Sequence, residues 1–352
     1  MILRRYLALA FFKTCGAVLF ILLALFSFLS LGEELEQVGK GSFGTADAFS
    51  VMLLTTPRLM LELLPVTLAI GSITALGILL NHGELTAMRA AGISTARLTR
   101  MMATLAAGVA IWCLTTQLWI VPASEREAHE FRTLTLEQSA LGNREFWSLQ
   151  EKQLLRVGAV AYGRVPLDLE IYTLDERSQL VSVLTAKRAE ILSQRQWRLH
   201  DATRKVIGYD SVVEENEALL IWDSILNSDQ LDTLVSSPES LSPLELYRFL
   251  TDTSHFDLDT SEYELLLWRQ VSLPITLLAM TIMGIPIVLA GGHPRAVGVQ
   301  GLIGAGIGLA FYLLERAAPH LGTLLEIPPA VTALTPPLLV LCGAALALRS
   351  VW

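Results

Sequence analysis

The stretch Gly83-Glu84-Leu85-Thr86-Ala87-Met88-Arg89-Ala90-Ala91-Gly92-Ile93-Ser94 sets a carboxylate and a guanidinium between two long apolar runs. Groups of this kind do ion-pair and hydrogen-bond work rather than bond breaking. Asn81 and Glu84 have the spacing of a capping box, which predicts a helix starting just after the preceding run. Leu85, Met88 and Ala91 then recur at helical spacing on one thin apolar face, and Gly92 is expected to stop the helix. Two readings fit the pattern: a docking piece on a membrane face, or an ordinary loop helix with a solvated carboxylate.

A second group is cationic. Arg126, His129 and Arg132 lie three residues apart, so one side of a helix would carry all of them. Such a stripe suits lipid phosphates at a bilayer surface. Equally, Glu125, Glu127 and Glu130 could turn it into an interfacial salt-bridge stripe. Other chemistry is missing from the pattern. Gly39-Lys40-Gly41-Ser42 lacks the spacing of a nucleotide-binding phosphate loop, so no ATP hydrolysis is expected on this chain. His82, His129, His200, His255, His293 and His320 are scattered without metal-ligand spacing, and nothing marks a nucleophile. The expectation is a non-enzyme without metal or cofactor.

The elements that position these groups follow from composition. Of 352 residues, 52% are hydrophobic and 17% charged, which places the chain among integral membrane proteins. Charge is unevenly spread. Between Ala123 and Glu262 there are 25 Asp and Glu against 14 Lys and Arg, so an acidic domain interrupts a mildly basic frame, and a nucleic-acid partner is not expected. Apolar runs at about Thr14–Gly32, Leu63–Leu80, Met101–Val121, Gln270–Gly292, Ala296–Leu314 and Ile327–Leu348 are each read as a span. The first, uncleaved, is too long for a signal peptide. Cys15, Cys113 and Cys342 fall in apolar runs, so no disulfide is expected. Ionisable groups are scarce inside the spans, against an ion-driven flippase. Arg58 and Glu62, four apart, are expected to neutralise each other.

Arg4, Arg5, Lys13, Arg89, Arg97, Arg100, Arg295 and Arg349 lie in short loops or ends on the side of the N-terminus. The positive-inside rule then places both termini and the Glu84 helix in the cytoplasm, with the acidic insert outside. The expected division is residues 1–122 (spans 1–3, with the short helix at about 82–94), 123–262 (the insert) and 263–352 (spans 4–6). Within the insert, residues 124–138 continue the third span as helix. Six β-rich runs between Phe146 and Trp222 then predict a sandwich or jelly roll. A cap-like Ser242-Pro243-Leu244-Glu245 starts a returning helix. Gly298, Gly301, Gly304, Gly306 and Gly308 leave the fifth span nearly bare, for tight packing or for a sliding gate.

Arg5-Tyr6, Gly39-Lys40-Gly41-Ser42-Phe43, the Glu84-to-Ser94 motif, Val121-Pro122 and Leu241-Ser242 before Glu245-Leu246-Tyr247 together carry a resemblance that runs nearly end to end. The chain resembles the LptF/LptG (YjgP/YjgQ) family of lipopolysaccharide export permeases, nearer the G type. The resemblance implies an inner-membrane protein with six transmembrane α-helices and a periplasmic β-jellyroll inserted between spans 3 and 4. It implies a heterodimer with an LptF-like paralogue, an LptB-like ATPase dimer that carries the ATP and magnesium, and an LptC-like single-span bridge protein. Lipopolysaccharide would leave the inner membrane by this route. Glu84, with Leu85, Met88 and Arg89, would contact the ATPase. Arg132 matches a cation lining the lipid cavity, and His129 falls where some members have a second arginine. Arg126 belongs to the same stripe. Spans one and five would form lateral gates. The chain departs from the G type after span 1, where Glu34, Glu36 and Gln37 replace frequent lysines and Lys40 alone is basic. The alternative to an exporter is a non-transporting envelope scaffold whose β-domain binds other proteins.

Overall fold

The computed structural model describes residues 2–135, 141–142, 146–150, 152–161, 165–175, 179–192, 196–207, 212–224, 241–253, 261–290 and 296–350. The expected cytoplasmic turn at 291–295, with Arg295, lies outside the described residues, as do the ends of the helices expected to reach Gln138 and Phe256. The chain forms two compact units. One joins Met1–Glu33, Met52–Ser124 and Glu264–Trp352, and the other joins Glu34–Val51 with Glu125–Tyr263.

Among the described residues, six helices are long and apolar enough to cross a membrane. They are α1 (Ile2–Leu35), α2 (Thr45–Asn81), α4 (Thr95–Thr115) with its continuation, α7 (Ser261–Ala290), α8 (Val297–Leu324) and α9 (Pro329–Ser350). The short α3 (Glu84–Ala90) lies between α2 and α4 in sequence. After α4 the backbone takes a π turn over Thr116–Ile120 and carries on as α5 (Val121–Thr135). Pro122 explains the turn: it has no N–H to donate backwards, and its ring crowds the preceding turn, so the ladder widens ahead of it.

The helical core is built on α2. Its Leu64, Leu68, Ala69, Ile73, Leu76 and Leu79 are buried. Three neighbours approach it closely enough to exclude a side chain at the crossing. A Cβ at Gly71 would lie 2.9 Å from Cys15 Cα of α1, one at Gly304 of α8 2.7 Å from Ile70 Cα, and one at Gly284 of α7 2.6 Å from Ser72 Oγ. Gly308 meets Val66 in the same way, whereas Gly298 and Gly306 meet nothing within 4 Å. The bare face of the fifth span is therefore a packing face in which small residues let backbones touch. Arg58 and Glu62 pair at 3.1 Å on α2 as expected, and Arg269 of α7 reaches Glu315 of α8 at 3.5 Å. Cys15, Cys113 and Cys342 are free.

The other unit is a seven-stranded antiparallel sheet of β1 (Leu141–Gly142), β2 (Phe146–Gln150), β3 (Gln153–Ala161), β4 (Val165–Leu174), β5 (Leu180–Ile191), β6 (Gln196–Ile207) and β7 (Val212–Asp223). The order is β1-β3-β4-β5-β6-β7, with β2 also on β3. The expected β insert is thus a jellyroll-like sheet whose strands run as a consecutive meander. A crease crosses it. Gly158, Asp168, Lys187, Asp201 and Ala218 face one another in successive strands, and each is skipped by the ladder while the register on either side is unchanged. Asp168 and Asp201 sit at φ of 50° and 52°, a left-handed conformation that Asp tolerates better than most residues. Alternation changes phase there. Leu184 and Ala186 are buried before the crease in β5 and Ala189 after it; in β6, Trp197 and Leu199 precede it and Ala202 follows. The phase change keeps apolar residues on one side of a bent sheet. Helix α6 (Pro243–Thr253) follows the sheet in sequence.

Candidate functional site

Helix α3 is framed by two glycines. Asn81 does not cap it: that residue is still the last of α2, and Gly83 at φ 75° makes the corner, with no side-chain cap. The expected capping box fails because the chain leaves α2 too late for Asn81 to reach non-helical geometry. The other end agrees with expectation. Gly92, at φ 86°, donates its N–H to Arg89 O (3.0 Å), and Ile93 N–H reaches Met88 O (3.1 Å), the paired bonds of a Schellman stop. Ser94 then caps α4 by accepting from Arg97 N–H at 3.3 Å.

The four residues expected to meet a partner divide by exposure. Leu85 is 1% exposed and belongs to the helical core, so it anchors α3 rather than facing outward. Met88 packs partly against that core, over a small apolar cleft shared with Ile93, Leu98 and Leu289. Thr86, Ala87, Arg89 and Ala90 are exposed. Glu84 is half-turned inward: its Oε1 accepts a hydrogen bond of 2.9 Å from the Tyr6 hydroxyl of α1, and His82 Nδ1 stands 4.0 Å away. Its Oε2 is shielded from solvent and accepts no hydrogen bond among the described residues.

Two cations of the stripe are also engaged within the chain by carboxylates far away in sequence. Arg132 pairs with Glu34, the nearly buried carboxylate at the C-terminal end of α1. Arg126 pairs with Glu245. That carboxylate completes the box expected at Ser242: it accepts from Ser242 N–H and Oγ at 2.9 Å each, and Glu245 N–H donates to Ser242 Oγ at 3.3 Å. Burial pushes the Glu245 carboxyl up, but the Ser242 backbone and hydroxyl bonds and the Arg126 guanidinium outweigh it and hold the group below its usual range. His129 is exposed.

Lys40 sits at an exposed loop tip. The Gly39-to-Phe43 motif is a tight turn: Gly39 and Gly41 take φ of 91° and 59°, Gly39 N–H donates to Phe43 O at 3.0 Å, and Phe43 is 2% exposed. Its glycines serve backbone geometry. Reasoning from sequence missed Tyr6 as a partner of Glu84. It treated Glu34 as a departure without seeing the cation it neutralises. No local pattern announces either pairing, although an aromatic hydroxyl at the start of a span and a carboxylate at its end were both visible.

Comparison with known proteins matches residues 5–350 to the family described as lipopolysaccharide export system permease LptF/LptG. The chain is 24% identical over 340 residues to the lipopolysaccharide export system permease protein LptG of Haemophilus influenzae, covering 96% of this chain and 95% of that protein. It is 22% identical over 339 residues to the LptG protein of Escherichia coli K12, covering 95% and 94%. The LptF protein of the same strain matches at 33% identity over 130 residues, 37% of this chain and 36% of that protein.

Proposed function

The chain belongs to the lipopolysaccharide export permease LptF/LptG family, and from that premise we propose that it is the transmembrane permease subunit of an ATP-driven exporter. In this reading it takes lipopolysaccharide from the inner membrane and passes it to a periplasmic bridge. It pairs with an LptF-like paralogue, and the similarity to proteins of both types supports that pairing. Nucleotide and magnesium are handled by an LptB-like ATPase dimer in the cytoplasm, and an LptC-like protein begins the bridge. Both termini and α3 face the cytoplasm, where short-loop arginines concentrate, and the β unit faces the periplasm.

One observation carries the reading: Leu85 locks α3 into the core of the spans while Thr86, Ala87, Arg89 and Ala90 stay exposed. A short helix rigidly seated among spans and bare on its outer side can receive a push from a partner and hand it to the bundle. The test is Glu84→Ala in the assembly purified from its native membrane. The expected outcome is loss of ATPase co-purification, or hydrolysis without lipopolysaccharide release; unchanged assembly, hydrolysis and release reject the role. If the wild-type chain recovers no ATPase at all, the scaffold reading takes its place.

For lipid, Arg132 is the cation that the cavity reading singles out, with His129, Arg126 and Lys40 as outer contacts. Arg132→Glu is expected to lower lipopolysaccharide photocrosslinking at normal expression. Equal crosslinking would leave the stripe a set of structural ion pairs.

A further inference from the structure

We propose that the Tyr6 hydroxyl is a positioning group that ties α3 to α1, so that displacement of α3 is delivered to the most loosely held span. The inference rests on the coupling reading of α3 above. Helix α3 lies between left-handed corners at Gly83 and Gly92 and is seated on the core by Leu85, so a push on it is passed on as a displacement of the whole helix. Its chain connections lead to α2 and α4, but α2 is held on several sides. The Tyr6–Glu84 hydrogen bond, 2.9 Å and accepted by a charged oxygen, leads instead to α1.

Among the described residues that span is buried chiefly near its cytoplasmic end, and its other end is tied by the Glu34–Arg132 pair. Leu7, Phe11 and Cys15 are buried one above another, and the Thr14 hydroxyl oxygen lies 3.2 Å from Gly71 O. Arg4 of the same end donates to Thr104 of α4 at 3.2 Å. Farther along, Phe20, Ile21, Leu25 and Phe28 are 54–75% exposed. A helix held at its ends and bare along its middle yields to a force at the buried end more readily than one packed throughout. Tyr6 stands at that end.

The assembly is purified intact from its native membrane and reconstituted into lipopolysaccharide-containing vesicles, with hydrolysis and release measured in one sample. Tyr6→Phe is expected to keep ATPase co-purification and hydrolysis while release per ATP falls about 5-fold, the scale of one charge-assisted hydrogen bond discounted for its exposure. In a Glu84→Ala background it is expected to add nothing. Release per ATP unchanged in Tyr6→Phe but lost in Glu84→Ala overturns the Tyr6 relay and leaves the coupling reading standing. Release unchanged in both removes the coupling reading itself. Should the Tyr6→Phe chain not accumulate, Tyr6→Leu, which also removes the hydroxyl, carries the test. Release per ATP unchanged with normal assembly overturns the relay.

Discussion

Helices α1 and α2 are both long and apolar, yet 72% of the most apolar window of α2 is buried and only 6% of that of α1. Hydropathy places a helix in the membrane; it does not say what the helix touches once there. In lipid, contact is decided by where backbones can approach, because lipid tails are as apolar as leucine. Helix α2 has Gly71 and Gly77 on its own surface and receives Gly284, Gly304 and Gly308 from its neighbours. Helix α1 meets it closely at Gly71 and then presents large side chains outward.

The contrast can be broken most severely from the α2 side. Gly304→Leu would drive a side chain into the Ile70 backbone and is expected to cost about 3 kcal/mol or more, read as loss of folded protein in detergent extracts. If Gly304→Leu accumulates with an unchanged unfolding midpoint, α2 is not the hub. Next in size is the gripped end of α1: Phe11→Ala is expected to cost roughly 3 kcal/mol through the cavity it leaves. Phe20→Ala on the same helix should stay within about 0.5 kcal/mol, measured by unfolding in mixed micelles. Equal losses at both positions would erase the distinction between the two parts of α1. Smaller again is Glu34→Gln, which frees Arg132 from its internal carboxylate and is expected to raise lipopolysaccharide crosslinking near residue 132 by about 2- to 5-fold. A decrease would mean that Glu34 orders the cation rather than competing for it.

The smallest effect is one of pH, and it lies in the β unit. Glu245 has a folded pKa below its unfolded value, so its capping bonds and Arg126 pair stabilise above the ordinary carboxylate range. That contribution is lost as pH falls through the lowered folded value. Protection of the amides at the start of α6, taken relative to intrinsic exchange at each pH, should therefore fall on acidification below about pH 4.5, and Glu245→Gln should flatten the response.

Much of this was legible in the residues. The apolar runs named six spans because bilayer thickness demands their length, and the Gly92 stop and the Ser242–Glu245 box are local patterns with local causes. What escaped was non-local. Glu34 and Arg132 lie 98 residues apart and Arg126 and Glu245 119 apart, so no window could show that the stripe is neutralised. Asn81 misled because cap spacing says nothing about where the preceding helix ends. Leu85 could be placed on an apolar face, but spacing alone did not reveal whether that face turns to the protein's own core or to a partner. The crease left a trace in β5, where inward positions step from Ala186 to Ala189, yet a break in alternation also marks a turn or the end of a strand.

That fold line constrains how the β unit can change. Each strand crossing it behaves as two half-strands with opposite parity, joined at a fixed residue. Removing or adding a single residue on one side would invert that half alone, turning its greasy side chains to water while the other half stayed correct. Length variation should therefore be confined to the hairpin ends, and tolerated changes within strands should come as substitutions, with Asp168 and Asp201 open to Gly or Asn but resistant to valine.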